Sequence, residues 1–165
     1  LAPPDTALVF VGQGEELTAL QAAAAARPDV MVRFLSFANQ SEMPARYLLA
    51  DIFALPSRGR YETWGLAVNE AMHLGVPCLV SNRVGCQRDL VTDGVTGWVF
   101  PAADQAALTS TLSGALKDIS HRGPDLRAAV ARRIAGYSYE HATDGLMRAV
   151  TSVLGLRSPT PGSTT

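Results

Sequence analysis

The chain has 165 residues, 47% of them hydrophobic and 18% charged, and a net charge of −1. That length and composition suit one globular domain and exclude a disordered chain. No basic excess favours nucleic acid or an anionic membrane, no apolar run reaches the ~20 residues of a spanning helix, and two cysteines are too few for a disulfide scaffold.

Leu1-Ala2-Pro3-Pro4 lacks the charged-then-apolar pattern of a signal peptide. Ala7-Leu8-Val9-Phe10-Val11 is a continuous apolar run closed by Gly12-Gln13-Gly14 and reads as a strand. A helix follows over residues 15 to 27, carried by an alanine run of high helix propensity and stopped at Pro28-Asp29. Residues 30 to 35 form a second predicted strand. Ser41 is the expected N-cap of a helix running to residue 50, with Pro44 in its first turn. Asp51-Ile52-Phe53-Ala54-Leu55 is the third strand, closed by Pro56-Ser57. A helix over 65–74 ends at Gly75, and Pro77-Cys78-Leu79-Val80-Ser81 is the fourth strand. Residues 87–91 suggest a short helix, Asp93-Gly94 a turn, and Gly97-Trp98-Val99-Phe100 a fifth strand. Helices are expected over 104–118, 124–135 and 138–154. The Ser/Thr/Pro-rich segment 157–165 is expected to be disordered, which leaves 1–156 as the domain.

Short apolar strands alternating with helices predict an α/β fold with a doubly wound, mostly parallel sheet covered on both faces. Such sheets take ligands at the carboxyl ends of their strands. Gly12 to Gly14, residues 56 to 64 and residues 82 to 85 all map to that edge. Cys78 and Cys86 lack a CxxC spacing and a second ligand pair, so they read as buried reduced thiols of a cytosolic protein and not as a zinc site. His73, His121 and His141 have no metal-ligand spacing. Trp64 and Trp98 read as packing residues.

Two glutamates stand out. Glu70 falls inside Leu66-Ala67-Val68-Asn69-Glu70-Ala71-Met72, a helix apolar enough to be largely buried. A carboxylate there needs hydrogen-bond donors unless Asn69, Glu70 and His73 form a solvated strip. Glu62 lies in the loop before Trp64-Gly65-Leu66, where free helix N-terminal N–H groups suit a phosphate and Gly65 permits close backbone approach. An ionised carboxylate beside an anion site suits an uncharged target such as sugar hydroxyls. Spacing alone leaves Glu62 open to being a solvated loop residue.

The stretch from "ADIFALPS" through "ETWGLAVNEAMHLGVP", "VGCQRDLV", "DGVTGWVF" and "DQAAL", opened by "ALVFVGQGEEL" and "VMVRFLSF", closely resembles the donor-binding domain of retaining GT-B glycosyltransferases of the group 1 (family 4) type. The resemblance covers residues 6 to 152. It implies the Rossmann-like C-terminal half of a GT-B fold, lacking its first strand and helix, and so a fragment of a longer enzyme. It also implies that strands 7–11 and 51–55 pair directly or leave open edges.

By that resemblance Glu62 contacts the donor sugar and acts at the catalytic centre, and Glu70 accepts the ribose hydroxyls of the nucleotide. Backbone N–H groups at Gly65 and Leu66 hold the diphosphate, with Thr63, Trp64 and Gly12 around the donor. Main-chain groups at Ser36 and Phe37 face the base. The implied reaction moves a sugar from a nucleotide diphosphate sugar to a saccharide or lipid acceptor, with retention and without a bound metal or other cofactor. The acceptor is reached through an N-terminal domain outside this sequence. The expected setting is cytoplasmic, with peripheral contact at the inner membrane face compatible with it. The sequence departs from the family pattern at Cys86, which replaces a glycine, and at His73-Leu74-Gly75. Arg58 and Arg60 precede Glu62, within reach of a phosphate but more simply solvated. A nucleotide-sugar epimerase of related fold and a non-catalytic nucleotide-binding or regulatory domain remain as alternatives.

Overall fold

The structure, a computed structural model, describes residues 5–59 and 61–155. Its elements run β1 (Ala7–Val11), α1 (Leu17–Ala25), β2 (Met31–Leu35), α2 (Met43–Tyr47), β3 (Phe53–Leu55), α3 (Leu66–His73), β4 (Cys78–Ser81), α4 (Gln87–Leu90), β5 (Gly97–Phe100), α5 (Gln105–Ile134) and α6 (Tyr139–Val153). All strand pairs are parallel, as the alternation of strands and helices requires. Arg60 and the segment 157–165 lie outside the described residues.

The sheet runs as two ladders, β1-β2 and β3-β4-β5. Strands β1 and β3 do not pair, so each leaves an edge open, which is the second of the two outcomes anticipated above. The difference shows in burial. Every residue of β4 is buried, with β3 on one side and β5 on the other. In β1, by contrast, Leu8, Val9 and Val11 remain exposed in spite of their apolar character. An apolar run specifies a strand, but covering both its faces takes neighbours.

Side-chain alternation along β4 divides the core in two. Cys78 and Val80 join Val68, Ala71 and Met72 of α3, together with Val84, Val130 and Ile134, on one face. Leu79 joins Trp98, Phe100, Ala115 and Leu126 on the other. Helix α5 serves both faces and kinks along its length. Arg122 leaves helical geometry (φ −143°, ψ 29°) two residues before Pro124. Ala115 and Leu126 pack on the Leu79 side, while Val130 and Ile134 beyond them reach the Met72 side. The two helices expected over 104–118 and 124–135 are both present and run on from one another across this kink. Arg122 fastens the bend, donating from Nη2 to the Gly94 carbonyl at 2.7 Å and from Nε to Asp118 Oδ1 at 3.2 Å.

One expectation fails at α2. Ser41 does not cap it; Glu42 holds the N-cap position without a side-chain bond, and Pro44 lies in the first turn. The Asn39 side chain organises the turn instead, accepting from the Ser41 and Glu42 N–H groups and from the Ser41 hydroxyl. An amide so close to its own backbone competes for the donors a capping serine would need. Helix α6, expected over 138–154, starts at a serine cap: Ser138 Oγ accepts from the His141 N–H. It has no buried residue and exposes Leu146, Met147, Val150 and Val153. No described helix is long and apolar enough to cross a membrane.

Candidate functional site

The carboxyl ends of β3, β4 and β5 meet at one edge, and three hydrogen bonds staple the loop after β3 to it. Ser81 Oγ, at the end of β4, donates to the Ser57 carbonyl at 2.6 Å. The Gly85 N–H donates to the Glu62 carbonyl at 3.1 Å, and the Cys86 N–H to the Trp64 carbonyl at 2.7 Å. Gly85 lies so close to this loop that a Cβ would run into the Thr63 carbonyl. The glycine needed for close approach is therefore Gly85. Cys86 is accommodated because its side chain points into the core, where it is fully buried, with its Sγ 3.8 Å from the Gly65 carbonyl.

The stapled loop delivers two features. The first is the N-terminus of α3. Gly65 adopts a left-handed conformation (φ 97°, ψ 59°), and no side chain caps the helix. The first N–H groups of such a helix have no intrahelical acceptor and carry the positive end of the helix dipole. The second is Glu62, half-buried, which with Ser57, Arg58, Gly59 and Tyr61 lines an open depression of about 330 Å³. No side-chain hydrogen bond or ion pair engages the Glu62 carboxylate among the described residues. Trp64 packs against the core, with its ring 6.3 Å from that of Tyr137. Thr63 is exposed.

Glu70 lies one turn beyond Leu66. Val68, Ala71 and Met72 are buried, whereas Leu66, Glu70 and His73 form an exposed strip on the other side of the helix. The helix is therefore not buried all round, and the solvated-strip reading holds for the backbone position of Glu70. Its side chain is nonetheless fixed: Tyr47 donates its hydroxyl to Glu70 Oε2 at 2.7 Å. Residues four apart share a helix face, and helical side chains lean toward the N-terminus. Glu70 thus stands about 6 Å along the axis from Leu66, on the same face of the helix. It lies outside the depression lined by Glu62.

At the ends of the first ladder, Gly12 turns the chain with φ 132°, a region that favours glycine. Its N–H is already donated to the Leu35 carbonyl at 3.1 Å, so its amide is not free for a ligand. Phe37, just past β2, is exposed. Arg58 is exposed as well. Sequence reasoning passed over Tyr47 because its partner is 23 residues away and on another helix.

The thiols behave as buried groups. Burial raises the Cys78 thiol far above its usual range and pushes Cys86 up to about 11, with the nearby carboxylates of Asp89 and Glu62 adding to the latter. Among the described residues no group of three or more His, Cys, Asp or Glu could hold a metal ion. A second open depression, of about 320 Å³, lies on α6, but its lining of Ala149, Val150, Val153 and Leu154 offers a polar ligand no side-chain hydrogen bond.

Parallel strands, flanking helices and a stapled loop at the carboxyl edge define a doubly wound α/β domain, and solved structures share the fold. HepE (Alr3699) of Anabaena, solved in complex with UDP, is 20% identical with a TM-score of 0.70 over 91% of this chain and 42% of that one. Sucrose-phosphate synthase of Thermosynechococcus elongatus is 22% identical with a TM-score of 0.72 over 90% of this chain and 38% of that one. The chain belongs to the glycosyl transferases group 1 family, whose model matches residues 2–132. Among curated relatives, the GDP-mannose-dependent alpha-(1-6)-phosphatidylinositol monomannoside mannosyltransferase of Mycolicibacterium smegmatis is 36% identical over 142 residues, covering 81% of this chain and 34% of that protein. D-inositol 3-phosphate glycosyltransferase of Salinispora arenicola is 31% identical over 128 residues, covering 78% and 28%. The chain spans about a third of the length of these relatives.

Proposed function

We propose that this chain is the donor-binding part of a retaining glycosyltransferase that moves a sugar from a nucleotide diphosphate sugar to a saccharide or lipid acceptor. The observation that carries this reading is the uncapped α3 N-terminus with Glu70 one turn along the same face. Dipole and amides suit a diphosphate, and the carboxylate suits the ribose diol beside it. Glu62, without a protein partner among the described residues, holds the donor sugar in a reactive pose. Amides at Gly65 and Leu66 offset the charge of the departing diphosphate, with no bound metal required. Thr63 and Trp64 flank the donor. The base sits by Ser36 and Phe37, just past β2, read largely by main-chain groups, with Gly12 near the donor.

The relatives' names support donors of the nucleoside diphosphate class and acceptors such as inositol or a lipid. The setting we propose is the cytoplasm, at the inner membrane face. Family membership does not favour the epimerase or the non-catalytic alternative. Isothermal titration of GDP and UDP into the wild type and Glu70→Gln tests the reading. Binding that weakens at least tenfold in the variant is expected, as for loss of a charge-assisted hydrogen bond. No heat in the wild type, or no effect of the substitution, refutes it. Sugar transfer itself is expected to need the acceptor domain, so this chain alone should show none.

A further inference from the structure

Glu70 meets three conditions at once. It is exposed, it is ionisable, and no ion pair engages it among the described residues. A glutamate so placed would ordinarily sample many rotamers, yet the Tyr47 hydroxyl grips one of its oxygens at 2.7 Å. The gripping group is itself rigid. Tyr47 is 5% exposed, lies in the core beside Val68 and Met72, and meets the Phe53 ring edge-on at a centroid distance of 5.3 Å. Burial, and secondarily the bond to Glu70, hold the phenol well above its ordinary range, so it stays a proton donor at any working pH.

A neutral donor has a consequence that a cation would not. An Arg or Lys in that place would fix the carboxylate and also neutralise it. A phenol bonded to Oε2 fixes the carboxylate and leaves its charge, together with all of Oε1, available to a ligand.

We propose that Tyr47 is a positioning residue for Glu70, locking its carboxylate in the orientation that accepts the vicinal hydroxyls of the donor's ribose. The inference rests on the diol-binding role given to Glu70 above. In this arrangement α2 sets the strength of ribose recognition through one hydrogen bond to α3.

The test uses GDP, UDP and their 2′,3′-dideoxy counterparts, titrated calorimetrically into the wild type, Tyr47→Phe, Glu70→Gln and the double variant. Tyr47→Phe keeps the ring and its packing, and thermal melts verify that the fold is retained. The wild type should prefer the ribonucleotides. Tyr47→Phe should weaken them several-fold, up to about tenfold, because the released carboxylate must then be immobilised on binding, and leave the dideoxy forms within about twofold. In the Glu70→Gln background, removing the phenol oxygen should change nothing further.

Equal weakening of both nucleotide forms would mean a merely structural role and overturn the inference. A ribose preference that Glu70→Gln abolishes and Tyr47→Phe leaves intact overturns it while sparing the role of Glu70. No preference in the wild type, or no binding at all, removes the diol role and the inference together.

Discussion

Gly65 is the hinge on which the candidate site turns, and replacing it with alanine should fail for two separable reasons. Its left-handed backbone disfavours any Cβ by about 1–2 kcal/mol. The new Cβ would also stand 2.7 Å from Val84 Cγ1 and 3.4 Å from Cys86 Sγ. Both neighbours are buried, so neither can withdraw into solvent. Overpacking of this kind costs about 1–3 kcal/mol. Gly65→Ala should therefore lose about 2–5 kcal/mol from a stability of about 5–15 kcal/mol. Gly75 supplies the control. It too has a positive φ, 75°, but a Cβ there meets nothing within 4 Å. Gly75→Ala should lose only the backbone part. Urea unfolding followed by far-UV circular dichroism gives both numbers. If Gly65→Ala is no less stable than Gly75→Ala, the close packing of the loop against Val84 is not what holds the α3 N-terminus in place.

Further outcomes follow from the same contacts. The Arg122 bond lowers the Asp118 carboxyl, and the Trp98 indole N–H, 3.1 Å from Oδ2, acts in the same direction. A depressed folded-state value stabilises the fold above the unfolded carboxylate range, near about pH 4, and that contribution disappears as pH falls through the folded value. The wild-type urea midpoint should therefore fall more steeply than that of Asp118→Asn on acidification below about pH 4. Leu126→Ala, emptying a position packed among Leu79, Trp98, Phe100 and Ala115, should lose about 2–5 kcal/mol by the same assay. Neither Cys78 nor Cys86 should react with a thiol reagent at neutral pH in the native state, since both are buried and held as thiols; both should react in urea.

Much of this could be read from the residues because local chemistry decides it. The apolar runs bounded by Gly and Pro marked all five strands, and the break expected between helices 104–118 and 124–135 falls at the Arg122 kink. Glu62, Gly65 and Glu70 were identified as a set from their ordered surroundings, and the structure puts the latter two on one helix with its N-terminus free. What escaped was tertiary. Exposure of β1 depends on which strand lies beside it, and its apolar composition reads the same either way. Cys86 looked like a defect in a glycine pair, yet the close backbone contact falls on Gly85, one residue earlier. The Tyr47–Glu70 bond joins two helices across 23 residues, and no periodicity in either reports it.

The most direct test of the account is an amide-resolved NMR titration of the chain with GDP and with UDP. Residues 65 to 67 and Glu70 should show the largest shift changes, and Glu70→Gln should abolish the response around residue 70. A response confined to α6, or none at the start of α3, would contradict the claim that this helix end takes the diphosphate.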